Sequence, residues 1–162
     1  LANTAVTLGV FVQANFGLTS QLTIAGIPVG QHLANAHEDP ERGSIIAVVA
    51  TDAPLLPHQL KRLTRRVGLG MGRSGAISGH GSGGLVLAFS TANKTAHQNG
   101  DQLSNMQFIP DALLDPLFEA VIQAVDEAIL NAMVANEPMT GFKGAHVDAL
   151  PVTAIQAILG LT

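Results

Sequence analysis

Apolar positions along the chain follow two rhythms. Residues 4–14 (Thr-Ala-Val-Thr-Leu-Gly-Val-Phe-Val-Gln-Ala) and 44–50 (Ser-Ile-Ile-Ala-Val-Val-Ala) are near-continuous β-branched and apolar runs, the pattern of strands covered on both faces. Residues 21–25 predict a short partner strand and residues 85–92 a further strand. A three-to-four spacing marks the helices. Leu60, Leu63 and Val67 share one face opposite Lys61, Arg62, Arg65 and Arg66, which predicts a helix over residues 57–67 with Pro57 as its first residue. Leu117, Val121, Val125, Ala128 and Ala132 mark a long helix, capped by Asp111 or by Asp115 with Pro116, that reaches about Asn136. Residues 151–159 predict a closing helix.

Between these elements, residues 28–43 lack apolar periodicity and hold His37, Glu38, Asp39, Glu41 and Arg42, as a solvated loop does. Residues 68–84 contain eight glycines and predict a loop, residues 93–106 a polar connection, and residues 138–144 a loop. There are no internal repeats. Strands grouped apart from long helices point to an α+β protein of packed layers.

Composition excludes several classes. With 8 Lys+Arg and 12 Asp+Glu the formal charge is −4, without the concentrated basic face that nucleic acid requires. At 47% apolar residues and a mean hydropathy of +0.33, the chain is too hydrophobic to stay disordered. The absence of cysteine removes disulfides, thiolate metal sites and cysteine nucleophiles. No apolar run reaches the roughly 18 residues of a membrane span, and no signal peptide is visible. Charged residues make up only 12%, against about 25% in an ordinary soluble domain, so much of the surface is expected to be covered by other protein. Leu1 in place of an initiator Met predicts that the sequence starts inside a longer protein. A cytoplasmic location is expected, and a periplasmic one stays open because the true start lies outside the sequence.

Three places can carry chemistry. Gly43-Ser44 puts a hydroxyl at the first position of an apolar strand, behind a glycine that leaves its carbonyl unshielded and tolerates a strained backbone. That pair suits self-cleavage, after which the new α-amine, with a reference pKa of about 7.7–8.0, can act as base for its own hydroxyl. On pattern alone the signal is weak, because Gly-Ser before a strand is far more often turn punctuation. Asn15, at the exit of the first strand, can donate to an oxyanion or simply serve the turn. The glycine stretch around Ser82 lacks the order of a phosphate-binding loop. The six histidines, at 32, 37, 58, 80, 97 and 146, show no metal-ligand spacing, and His80 stands out only for its place in the glycine stretch. Asp52 reads as a cap or turn acid.

Taken together, Val10-Phe-Val-Gln-Ala-Asn-Phe-Gly17, Ala25-Gly-Ile-Pro-Val-Gly30, the ungapped block from Gly43-Ser-Ile-Ile-Ala-Val-Val-Ala through Lys61-Arg62, and Leu87-Ala-Phe-Ser-Thr-Ala-Asn93 resemble the L-aminopeptidase/D-esterase and β-peptidyl aminopeptidase family. The resemblance implies a precursor that cuts itself before a Ser or Thr. Its α and β chains remain together in a four-layer αββα sandwich of the aminopeptidase/ornithine acetyltransferase type, of which this chain would be roughly the C-terminal half. Residues 1–43 would end the α portion and residues 44–162 would form the β portion. Ser44 matches the nucleophile, Asn15 an oxyanion donor, Ser82 a second serine that orients the nucleophile, and Lys61 a supporting residue. Neither metal nor organic cofactor is implied. The partners implied are a small peptide or amide substrate, the rest of the α portion, and further copies in a homo-oligomer, a tetramer in the family. One departure stands out. Many members carry Asp or Glu two residues after the second serine, where this chain has Gly84, so either His80 or an upstream acid is expected to substitute or activity is expected to be low. The reading is thus a self-processing serine aminopeptidase or amidase. The alternatives on the same fold are an acyltransferase, a pantetheine-type amide hydrolase, or a non-catalytic homologue.

Overall fold

In the computed structural model, which describes residues 5–33, 43–94 and 103–161, the continuous apolar runs become two strands of a three-stranded sheet. Strand β1 (Leu8–Asn15) pairs antiparallel with β2 (Ser44–Thr51), and β3 (Gly83–Ser90) pairs parallel with β2, which is central. Between β1 and β2 lies a short helix, α1 (Gly30–Leu33). A parallel pair needs a crossover, and helix α2 (Pro57–Arg73) supplies it. Helix α3 (Asp115–Val134), a small hairpin of β4 (Met139–Thr140) and β5 (His146–Val147), and helix α4 (Val152–Leu159) complete the chain. The loop expected over residues 28–43 and the connection over 93–106 lie partly outside the described residues, as do His37 and His97.

The two helices cover one face of the sheet. Ile45, Ala47 and Val49 of β2 pack with Leu63 and Val67 of α2 and Leu117, Val121 and Val125 of α3, all buried. Because strand side chains alternate between faces, Ser44, Ile46 and Val48 point the other way. The expectation of strands buried on both faces is therefore met on one face only among the described residues. On the opposite face Phe11 is 64% exposed, Leu85 67% and Leu87 57%.

At the far end of the sheet the Thr7 N–H donates to Asp52 Oδ1 at 2.6 Å, and the Thr51 hydroxyl donates to the Thr7 carbonyl at 2.6 Å. Asp52 is thus the turn acid that the sequence suggested. Pro57 opens α2, and Gln59 Oε1 accepts the Leu56 N–H at 3.0 Å. The other end of that carboxamide donates to the Ile109 carbonyl and to Asp111 Oδ1. Asp111 also meets Arg62 at 3.1 Å, so it ties α2 to the approach of α3 instead of capping α3, which starts at Asp115 ahead of Pro116.

Two expectations give way to packing. Helix α2 does not stop near Val67 but continues through Gly68, Gly70 and Gly72, although a helical glycine costs about 1 kcal/mol relative to alanine. The reason is visible at Gly70, where a Cβ would lie 2.6 Å from Val125 Cβ and 2.8 Å from the Ile122 carbonyl oxygen of α3. Residues 21–25 form no strand. The chain there makes a 3-10 turn at Thr19–Gln21 and an isolated bridge between Ile24 and Ile27, closed by Ala25 and Gly26 at φ of 50° and 79°. Among the described residues no helix is long and apolar enough to cross a membrane.

Candidate active site

The register of the sheet assembles the site. Asn15, the last residue of β1, lies opposite Ser44, the first of β2, and Ser44 lies opposite Gly83, the first of β3. Directly opposed residues project from the same face with Cβ atoms about 4.5–5.5 Å apart. The Ser44 hydroxyl and the Asn15 carboxamide therefore stand side by side on the face the helices leave open, both exposed. Among the described residues neither side chain has a hydrogen-bond partner.

Glycine at position 43 makes this juxtaposition possible. A Cβ there would overlap the Asn15 carbonyl oxygen and lie 2.6 Å from Phe16 Cα, so only a residue without a side chain lets β2 begin so close to the end of β1. On its other flank the Gly43 carbonyl accepts the Gly83 N–H at 3.2 Å. The loop that delivers β3 is held by a turn in which the Ser82 N–H donates to the Gly79 carbonyl at 2.9 Å, with Ser78 at a φ of 51°. Ser82 is half-buried and immediately precedes Gly83, while His80 is exposed two residues earlier. Both therefore belong to the same end of the sheet as Ser44. Gly84 pairs with Ile45, and a Cβ there would rest 3.6 Å from Ile45 Cγ2. An acid at this position would thus leave the sheet on the helix-covered face, away from the Ser44 and Asn15 side chains.

Lys61 does not join them. Helix α2 begins six residues after the last residue of β2, so Lys61 sits near the Thr51 end, and at about 3.3 Å per strand residue that end is about 23 Å from Ser44. It is also exposed on the helix layer, across the sheet from the open face. The basic face of α2 is only partly solvated, since Arg62 pairs with Asp111 and the Arg66 guanidinium lies 3.7 Å over the Phe118 ring.

A hydroxyl at a strand start, a neighbouring carboxamide and main-chain donors form the parts needed for acyl chemistry, a nucleophile next to oxyanion donors. Sequence reasoning picked out Gly43, Ser44 and Asn15 but not the Gly83 N–H, because a main-chain donor leaves no residue signature and is set by register alone. It also passed over the Thr140–His146–Asp148 chain of the hairpin, with Thr140 Oγ1 2.8 Å from His146 Nδ1 and His146 Nε2 3.2 Å from Asp148 Oδ1. An open cavity of about 1140 Å³ reaches from Asn15 and Phe16 past Ser74 and Met133 to His146 and Leu150; Ser44 and Ser82 are outside its lining. Among the described residues no group of three or more His, Cys, Asp or Glu side chains is placed to hold a metal.

Residues 1–147 match the model of peptidase family S58. A β-peptidyl aminopeptidase of Sphingosinicella microcystinivorans is 43% identical over 169 residues, spanning 94% of this chain and 43% of that protein. Among solved structures, a protein of Pyrococcus horikoshii OT3 superposes with a TM-score of 0.87 at 40% identity, over 96% of this chain and 43% of the other. The L-aminopeptidase D-Ala-esterase/amidase of Ochrobactrum anthropi, described as a prototype for the serine aminopeptidases and a variant of the Ntn hydrolase fold, superposes at 0.85 with 42% identity, over 96% of this chain and 44% of the other. The chain thus spans less than half the length of the relatives it matches, and its α+β layers are those of an Ntn hydrolase fold. On the strength of the family match and these identities, the chain belongs to peptidase family S58.

Proposed function

We propose that the whole protein is a self-processing serine aminopeptidase or amidase that releases N-terminal residues from small peptides, amides or esters. The observation that carries this reading is the pairing of Ser44 with Asn15 directly behind Gly43. Cleavage of the Gly43–Ser44 bond frees the Ser44 α-amine, which takes the proton of its own hydroxyl as Oγ attacks the substrate carbonyl. The Asn15 carboxamide donates to the oxyanion, and water then releases the acyl group from Oγ. Ser82, at the turn into β3, orients the hydroxyl and amine. The relatives' names support a peptide or amide substrate, and a panel of aminoacyl p-nitroanilides and β-amino acid amides tests it: hydrolysis of at least one member is expected, and failure of the cleaved protein on every member would favour a non-catalytic role. An added amine acceptor that captures the acyl group in place of water would favour an acyltransferase.

The open face of the sheet bears on the architecture. Phe11, Ile46, Leu85, Leu87 and Phe89 form an exposed apolar surface on one face of the sheet, the kind of patch that marks an interaction face. In the proposed four-layer αββα sandwich a second sheet from the upstream portion packs on it, about 10 Å away, and closes the substrate pocket over Ser44. Exposed apolar residues away from this face, such as Phe142 at 84% and Leu161 at 71%, support assembly into a homo-oligomer.

Since a side chain at position 84 would stand on the other face of the sheet, His80 or an upstream carboxylate supplies the polar partner of the Ser44–Ser82 pair. His80→Ala in the full-length protein is expected to lower turnover about 10²–10⁴-fold if His80 holds that place, the range of general acid–base contributions. Wild-type turnover in that variant would eliminate His80 and leave the upstream acid.

A further inference from the structure

From the first rung of the β2–β3 ladder we infer that the main-chain N–H of Gly83 is the oxyanion donor for cleavage of the Gly43–Ser44 bond, and that the same N–H then serves the substrate. This inference rests on the self-processing reading and assigns it a group. The Gly43 carbonyl that Ser44 would attack accepts one described main-chain hydrogen bond, from Gly83 N at 3.2 Å. The carbonyl points along the sheet toward β3, whereas strand side chains stand roughly perpendicular to the sheet. The Ser44 Oγ therefore meets the carbonyl from the π face while the donor stays in the carbonyl plane, the arrangement in which negative charge building on oxygen runs into a fixed N–H dipole. Gly43 has little freedom to drift from this donor, because the Asn15 carbonyl and Phe16 Cα crowd its other flank.

The chemistry balances without any further group. Oγ bonds to the Gly43 carbonyl carbon, the C=O electron pair moves onto oxygen, and the Gly83 N–H bears that charge. Collapse breaks the C–N bond. The nitrogen of Ser44 keeps the electron pair and takes the proton that Oγ gave up, leaving the Gly43 acyl group as an ester on Oγ and a free α-amine. Water adds to the ester, releases the Gly43 carboxylate and restores the hydroxyl. Once Gly43 moves away, the Gly83 N–H has lost its acceptor at the edge of the nucleophile. A substrate acyl group on Oγ is the same kind of ester on the same oxygen, so its oxyanion forms where that of Gly43 did. The donor that assists maturation is thereby handed to catalysis, next to the Asn15 carboxamide that stands on the other strand.

Replacing Gly83 by glycolic acid in the full-length protein turns the N–H into an ester oxygen at constant shape. Self-cleavage is expected to slow about 10²–10³-fold, as for loss of one oxyanion donor. The matching ester at Leu85, two residues on in the same strand, weakens the sheet equally and is expected to cleave at the wild-type rate. Equal rates for the two esters would overturn the inference while leaving self-processing intact; a wild type that stays uncut would overturn both. Amide hydrogen exchange of the cleaved wild-type enzyme gives a readout independent of the variants' folding. A 1-aminoalkyl boronic acid, whose tetrahedral adduct places an oxygen at the oxyanion position, is expected to slow exchange at Gly83 but not at Leu85. Unchanged exchange at Gly83 in the inhibited enzyme would overturn the inference.

Discussion

Full-length protein carrying Ser44→Ala is expected to remain one uncut chain and to hydrolyse none of the substrates that the wild type accepts. Two losses coincide in this variant. Without the hydroxyl nothing attacks the Gly43 carbonyl, so no α-amine is freed to serve as base, and without that hydroxyl no acyl-enzyme can form. The substitution removes one exposed oxygen from a strand whose inward residues, Ile45, Ala47 and Val49, carry the packing, so thermal stability should stay close to wild type. Ser44→Thr separates the two functions of the position, because it keeps a hydroxyl and is expected to retain some cleavage. Intact mass and a hydrolysis assay on the same sample check the prediction. Cleavage at the wild-type rate in Ser44→Ala would remove Ser44 from the mechanism.

The second large effect is expected at Asn15. Asn15→Ala should lower kcat by about 10²–10³-fold, the measured scale for loss of a side-chain oxyanion donor, equivalent to about 2.7–4 kcal/mol. KM should change little, because the donor acts where charge develops and not on the bound substrate. Asn15 is exposed and has no side-chain partner among the described residues, so the fold loses little when the carboxamide goes. Asn15→Asp is the sharper variant: similar in shape, it replaces a donor with an anion beside the forming oxyanion and should be at least as slow. Steady-state kinetics on cleaved enzyme would decide. An unchanged kcat in Asn15→Ala would place the oxyanion elsewhere.

The sequence disclosed the site residues more readily than their arrangement. Gly43, Ser44 and Asn15 could be singled out because each has a residue-specific chemistry; the jump in polarity between Arg42 and Ile45 placed Gly43 and Ser44 at a strand start, and the end of the first apolar run placed Asn15 at a strand exit. That Asn15 faces Ser44 depends on the antiparallel register, which is set by the Thr7–Asp52 closure at the other end of the strands and by the close fit at Gly43. No local pattern encodes either contact. Lys61 lies in the same continuous block as Ser44, yet the crossover that begins at Pro57 carries it toward the Thr51 end of the sheet. The glycines at 68, 70 and 72 read as loop because propensity is local, and they are helical because α3 presses against Gly70. The apolar runs of β1 and β2 implied two covered faces. The described residues cover one, and the exposed Phe11, Leu85 and Leu87 on the other mark where the proposed second sheet would lie. The low charge of the chain agrees with that proposal, since residues at a sheet-to-sheet interface cannot be charged cheaply.

Everything proposed for the chemistry depends on one bond. Intact-mass analysis of purified full-length wild type, with N-terminal sequencing of its fragments, tests it most directly. Two fragments that copurify are expected, the smaller beginning Ser44-Ile45-Ile46-Ala47, with masses that add up to the precursor plus one water. A single chain with the Gly43–Ser44 bond unbroken after days in solution would contradict it.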